Sequence, residues 1–118
     1  MKYFNRKEYE CRCGCGLDTV DYELDNVMDN IREHFNKPII INRGISCIDH
    51  NKNVGGSVNS QHLIGKACDF VIAGVDSNLV ADYLELKYHN KYGIGWYDGR
   101  THIDVRKNKA RWDNRTKV

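Results

Sequence analysis

The dipeptide Asp98-Gly99 constrains the fold more than any other two residues. It separates GIGWY, residues 93–97, from THIDVR, residues 101–106. A D-G pair between two strand-like runs is the strongest short-range hairpin signal. The second arm alternates: His102, Asp104 and Arg106 point one way, Ile103 and Val105 the other. One face is apolar and suits a core. The other carries an imidazole, a carboxylate and a guanidinium in a row, which either a solvated sheet face or a functional site would explain.

Upstream of the hairpin, Val20, Leu24, Val27, Met28, Ile31 and Phe35 recur at helical spacing. Asp18 or Thr19 is predicted to cap this helix near Val20, and Pro38 stops it. Pro38 to Ile41 reads as a short buried strand. Asn42 to Ser60 reads as a loop, long for a chain of 118 residues, and long loops on compact scaffolds often carry function. Ala67 to Ile72 reads as a second strand closed by Gly74. Asp76 or Ser77 caps a second helix carrying Leu79, Val80, Tyr83 and Leu84. Segregated helices and antiparallel strands predict an α+β class, in a single domain spanning residues 1–118.

Composition narrows the function. Hydrophobic residues make up 41% and charged residues 29%, as in a soluble globular domain. No apolar run is long enough to insert in a membrane. The N-terminal residues lack the apolar stretch of a signal peptide, so synthesis in the cytoplasm is expected. A net charge of +2 does not by itself call for nucleic acid. Arg106 to Lys117 is locally basic, which fits a solvated tail or, alternatively, an anionic partner. A monomer is expected. Trp96 and Tyr97 read as core or rim, Trp112 as an anchor for the C-terminal segment, and Asn51, Gly55 and Gly56 as shaping the long loop. His34, His50 and His89 carry no motif.

Five cysteines, Cys11, Cys13, Cys15, Cys47 and Cys68, do not pair off as a secreted disulfide framework would. The CxCxC run also lacks the CxxC grip usual in structural zinc sites. Free thiols are the leading reading, with a soft-metal site or a disulfide as alternatives.

His62 and Asp69 lie in SQHLIGKACD, residues 60–69. They read either as an exposed histidine and an ordinary aspartate, or as two metal ligands, one on a loop and one on the strand that follows. His102 offers a third ligand, and two imidazoles plus one carboxylate make a catalytic zinc set. The spacing HxxxxxxD is not distinctive alone.

The segments HNKNVGGSVNSQHLIGKACD, GIGWYDGRTHIDVR and ARW together resemble the M15 family of zinc peptidases, in particular its small branch of phage and bacterial D-Ala-D-Ala carboxypeptidase-like enzymes. The resemblance implies a Hedgehog/DD-peptidase fold, Zn2+ held by His62, Asp69 and His102, and hydrolysis of bacterial peptidoglycan stem peptides after release or delivery to the wall. It covers nearly the whole chain. Two positions depart from the pattern. Many members place an acid three residues before the last histidine, where this chain has Gly99; Asp98 lies one step further off. Asp104 shares the face of His102 and is the favoured neighbour of the catalytic water, or else supports a ligand from behind. Many relatives read SGYR where this chain has RGIS, residues 43–46, so Arg43, or failing that Arg106, is expected to meet substrate carboxylate or developing charge. A non-catalytic, zinc-stabilised wall- or tail-associated domain is the alternative, and a structural zinc protein built on CxCxC a third class.

Overall fold

The computed structural model describes residues 1–116. In chain order it contains α1 (Arg6–Tyr9), α2 (Tyr22–Phe35), β1 (Ile39–Arg43), α3 (Ile48–Asn53), a 3-10 turn (Gln61–Ile64), β2 (Ala67–Ile72), α4 (Ser77–Lys87), β3 (Gly93–Tyr97), β4 (Arg100–Asp104) and β5 (Ala110–Asp113). The α+β class holds. The five strands form one sheet in the order β1-β2-β4-β3-β5. Its pairings are antiparallel except β3 with β5, which is parallel, so the sheet is mixed.

The apolar stripe of α2 buries Leu24, Val27, Met28 and Ile31. They pack with Ile39 and Ile41 of β1, Phe70 and Ile72 of β2, Val80 and Leu84 of α4, and Ile103 of β4. Burying an aliphatic side chain of this size contributes about 1.5–3 kcal/mol. Of the apolar residues that α4 carries, Val80 and Leu84 are buried and Leu79 is exposed.

The start of α2 differs from the expectation. Its cap is Asp21, whose carboxylate accepts the N–H groups of Glu23 and Leu24. Asp18 is engaged by Arg6 at 2.9 Å instead. Residues 19–21 are drawn alongside Gly65, whose carbonyl accepts the Asp21 N–H at 2.9 Å. Pro38 does end the helix, after Asn36 in the left-handed region (φ 51). The predicted loop at 42–60 contains α3 and the last residue pair of β1. Asn51 staples that loop: its side chain accepts from Arg43 and donates to the Ser57 carbonyl.

The Asp98-Gly99 turn joins β3 to β4 as the sequence implies, with Gly99 at φ 74. The basic C-terminal stretch is not simply a solvated tail. Residues 110–113 form the edge strand β5. Arg111 binds Glu85 and the carbonyls of Tyr88 and Tyr92. Lys117 lies outside the described residues.

Candidate metal centre

The strand register builds the site. Arg43 pairs with Asp69, Asp69 with His102, His102 with Gly95, and Gly95 with Trp112. These residues form one row across all five strands. Because side chains alternate with period two, the row projects from the face opposite Cys68, Phe70 and Ile103 of the core. The β1–β2 register shifts between Ile41 and Arg43. Such irregularities re-aim a side chain, and this one brings Arg43 into the row.

His62 reaches the row from the 3-10 turn. Ser60 caps that turn by accepting the His62 N–H at 3.2 Å. Gly65 ends it at φ 71, with Thr19 O only 2.8 Å from where a Cβ would stand. Only glycine meets both conditions cheaply. The small and special residues of SQHLIGKACD therefore have local physical reasons that do not depend on any ligand.

His62, Asp69 and His102 are buried, and their ligand atoms all lie within 4.8 Å of one another. His62 Nδ1 sits 2.7 Å from the Gly44 carbonyl. A carbonyl only accepts, so Nδ1 carries the proton and Nε2 turns toward Asp69 Oδ2 at 3.4 Å. His102 Nε2 lies 2.7 Å from Asp104 Oδ2, and Nδ1 lies 2.8 Å from Asp69 Oδ1. Each imidazole thus has an acceptor behind it and its other nitrogen facing Asp69. That is the support that metal-ligating histidines generally have, and the donor set suits a borderline divalent ion.

Burial disfavours charge on the Asp69 carboxyl, but the hydrogen bond with His102 and the nearby His62 imidazole outweigh it and hold its pKa well below the usual carboxylate range. Burial also opposes charging His102, and the carboxylates of Asp104 and Asp69 on its two sides reverse that, raising its pKa. The contact between His102 Nδ1 and Asp69 Oδ1 joins two of the three candidate ligands.

The expectation that Asp104 lies nearest the catalytic water does not fit this geometry. Asp104 is fully buried and stands behind His102. Its Oδ1 accepts from Arg106 Nε at 2.7 Å, and its Oδ2 from Arg106 Nη2 at 2.8 Å as well as meeting His102. It occupies a second row, paired with Ala67 and Gly93, beyond which Gly93 pairs with Ala110. A Cβ on Gly93 would lie 2.3 Å from Asp104 Oδ2. The small residues of this row make room for one carboxylate. Asp98 is further away still: Thr116 donates to it from both its N–H and its hydroxyl, which lowers its pKa, and it does not line the cleft over the three ligands.

That cleft has a volume of about 520 Å³, and its wall includes Arg43, Gln61, Tyr97, Arg100, Arg106 and Trp112. Arg43 reaches it while held by Ser46 Oγ at 2.9 Å and Asn51 Oδ1 at 2.8 Å. Both predicted arginines are therefore present, although Arg106 spends its Nε and Nη2 on Asp104. Sequence reasoning missed Arg100, stacked 4.1 Å from the Tyr97 ring centroid. Extending the His102-Asp104-Arg106 alternation back by two residues would have found it. Trp112 donates to Tyr97 Oη at 2.7 Å, and its ring lies 4.9 Å from that of His102. It crosses β3 over Gly95, where a Cβ would meet the indole at 2.5 Å.

A sequence profile of peptidase M15 matches residues 2–104. The chain belongs to the peptidase M15 family. No curated protein sequence matches it. The family assignment makes this a peptidase domain, and the cluster of His62, Asp69 and His102 is its candidate metal centre. Among the described residues no helix is long and apolar enough to cross a membrane.

Proposed function

We propose that this M15 domain is a zinc-dependent hydrolase of peptide bonds in bacterial peptidoglycan stem peptides, acting on the wall after release or delivery. The observation that carries the proposal is the three-ligand cluster opening onto a cleft with three arginines on its wall. His62 through Nε2, Asp69 through a carboxylate oxygen and His102 through Nδ1 would hold the ion. Zinc bound there supplies a Lewis acid that polarises a carbonyl and lowers the pKa of water.

The protein's own groups do the rest. The Gly44 carbonyl and Asp104 fix the tautomer and tilt of the two imidazoles. Arg43, oriented by Ser46 and Asn51, carries positive charge toward the cleft. There it would meet a substrate carboxylate or the negative charge that develops on the carbonyl oxygen. Arg100 lies on the same wall, and a stem peptide's free carboxylate is the kind of group such a wall attracts. Tyr97 and Trp112 flank the cations with aromatic surface. Asp104 acts as a positioning residue.

The test is incubation of the purified protein with peptidoglycan, with and without chelator and with zinc restored. The expected result is zinc-dependent release of amino groups. Mass spectrometry assigns the bond: free D-alanine marks a carboxypeptidase, and a new N-terminus within the stem or cross-link marks an endopeptidase. A metal-loaded protein that releases nothing from any stem-peptide substrate would sink the enzyme reading. It would favour the second one, a non-catalytic wall- or tail-associated domain. One observation supports that alternative: among the described residues, the cleft wall carries no carboxylate other than Asp69.

A further inference from the structure

We infer that Cys11, Cys13, Cys15 and Cys47 form a second metal site, a closed four-thiolate cage for one structural zinc ion. The four sulfurs lie within 4.8 Å of one another. Cys11 Sγ is 3.4 Å from Cys13 Sγ, which is 3.7 Å from Cys47 Sγ. Tetrahedral zinc with bonds of about 2.3 Å places its sulfurs about 3.8 Å apart. A disulfide needs about 2.0 Å, and all five cysteines are free. The spacing suits one ion and leaves no room among the sulfurs for a multi-iron cluster.

The local chain explains how CxCxC can grip without the usual two-residue spacer. Gly14 and Gly16 adopt φ +86 and +88 with nothing within 4 Å of a notional Cβ. They serve backbone curvature, not packing. Alternate residues of an extended strand would all point to one side in a line; the glycine kinks curl that line so that three sulfurs converge. Cys47 arrives from the far side of the molecule's sequence, 34 residues beyond Cys13. Two backbone N–H groups already point at sulfur: Cys47 donates to Cys11 Sγ and His50 to Cys47 Sγ, each at 3.4 Å. Hydrogen bonds of this kind support thiolate ligands. Cys68 takes no part, being wholly buried in the core.

The position of the cage suggests what it does. It would clamp the N-terminal segment to residues 43–47. The N-terminal segment already meets this part of the chain through Ile45 N–H donating to Tyr9 O at 3.0 Å, Arg12 donating to Ile41 O at 2.8 Å, and the close approach of Gly44 to Tyr9. The same short stretch supplies Arg43 to the cleft and the Gly44 carbonyl to His62. A filled cage would therefore stiffen the backing of the candidate metal centre without touching substrate.

Metal analysis of the full chain, purified without chelator, tests this independently of peptidase activity. Two zinc ions per chain are expected in the parent protein, one in His62→Ala and one in Cys13→Ser. Zinc X-ray absorption of His62→Ala should show sulfur neighbours only, at about 2.3 Å. Cobalt substituted into that variant should give thiolate-to-metal charge-transfer absorption that Cys13→Ser lacks. If Cys13→Ser does not fold, the parent protein decides alone. One zinc with nitrogen and oxygen neighbours only, or a native protein whose thiols react freely with a thiol reagent before and after chelation, overturns the inference. Two zinc ions with no hydrolysis would leave the cage standing while removing the proposed activity.

Discussion

The two clusters that could hold metal are built in opposite ways. His62, Asp69 and His102 are all buried, two of them on paired strands, and each imidazole is braced from behind by an acceptor. The cysteine cluster sits on a glycine-kinked loop, with Cys13 and Cys15 exposed. Three ligands under a cleft leave an open position, as catalytic sites do, whereas four thiolates close the coordination sphere. The rigid scaffold surrounds the site where position must be accurate. The loop needs only to be tied down. Precision is placed in the sheet register, and attachment in the side chains of a loop.

The largest expected effect separates the two regions by function. Alanine at His62, Asp69 or His102 should abolish peptidoglycan hydrolysis, by on the order of 10³-fold or more, because several kcal/mol of transition-state stabilisation go with the ion. Cys13→Ser should keep kcat within a few-fold and lower the melting temperature instead. Parallel assays of turnover and thermal unfolding make the comparison. Equal loss of turnover in both sets would mean that the loop cluster participates directly in the site.

Asp104→Asn should weaken metal binding at the open site by about 10–100-fold, the usual cost of removing a carboxylate behind a ligating histidine. Its activity should recover as zinc is added. Asp98→Asn, altering a residue tied to Thr116, should change neither. A full loss of turnover in Asp104→Asn that excess metal cannot restore would return Asp104 to the expected place beside the catalytic water.

These two aspartates show how far the sequence could be read. The D-G turn and the alternation of THIDVR placed His102 on the face away from the core, and the resemblance around His62 and Asp69 pointed to the other two candidate ligands. Register across the sheet was not legible. Nothing local says that Arg43, Asp69, His102, Gly95 and Trp112 share one row, so the glycines of GIGWY could not be read as space for Trp112 and Asp104. The parallel strand β5 was hidden because it is only four residues long, ARWD, inside a basic stretch, and its pairing is long-range. The joining of Cys47 to CxCxC was hidden for the same reason. The α2 cap was misplaced because Gly65, more than forty residues later, draws residues 19–21 past the local signals at Asp18 and Thr19.

Glycine substitutions sharpen the contrast between the regions. In Gly93→Ala the new Cβ would stand 2.3 Å from a carboxylate oxygen that is pinned by His102 and Arg106. Overpacking of this kind costs about 1–3 kcal/mol, and metal affinity should fall with it. Gly14→Ala meets nothing within 4 Å; only its positive φ is strained, at about 1–2 kcal/mol. Denaturant melts and zinc titrations of both variants should show that Gly93→Ala affects the open site and Gly14→Ala only the loop. If Gly93→Ala retains parental zinc affinity, Asp104 is not positioned by that row.

The smallest effect is a pH dependence confined to the buried cluster. In the chelated protein, Asp69 and Asp104 have depressed pKa values: burial opposes this, and their histidine and arginine partners prevail. Their contribution is present above the unfolded carboxylate pKa of about 4 and is lost as pH falls through the lower folded values. His102 has the opposite sign. Its pKa is raised because Asp104 and Asp69 overcome the penalty of burial. Its contribution is complete below about pH 6.5 and disappears as pH rises through the folded value. The melting temperature of chelated protein should therefore decline on both sides of a mid-pH maximum. His102→Gln should weaken the acid decline, because His102 is the main partner that lowers the pKa of both carboxylates, and should remove the alkaline one. Zinc should remove it too, since the ion replaces the proton on Nδ1. A chelated protein whose melting temperature stays flat from neutral to alkaline pH would show that His102 is already neutral, and that the bridge to Asp69 does not depend on a proton.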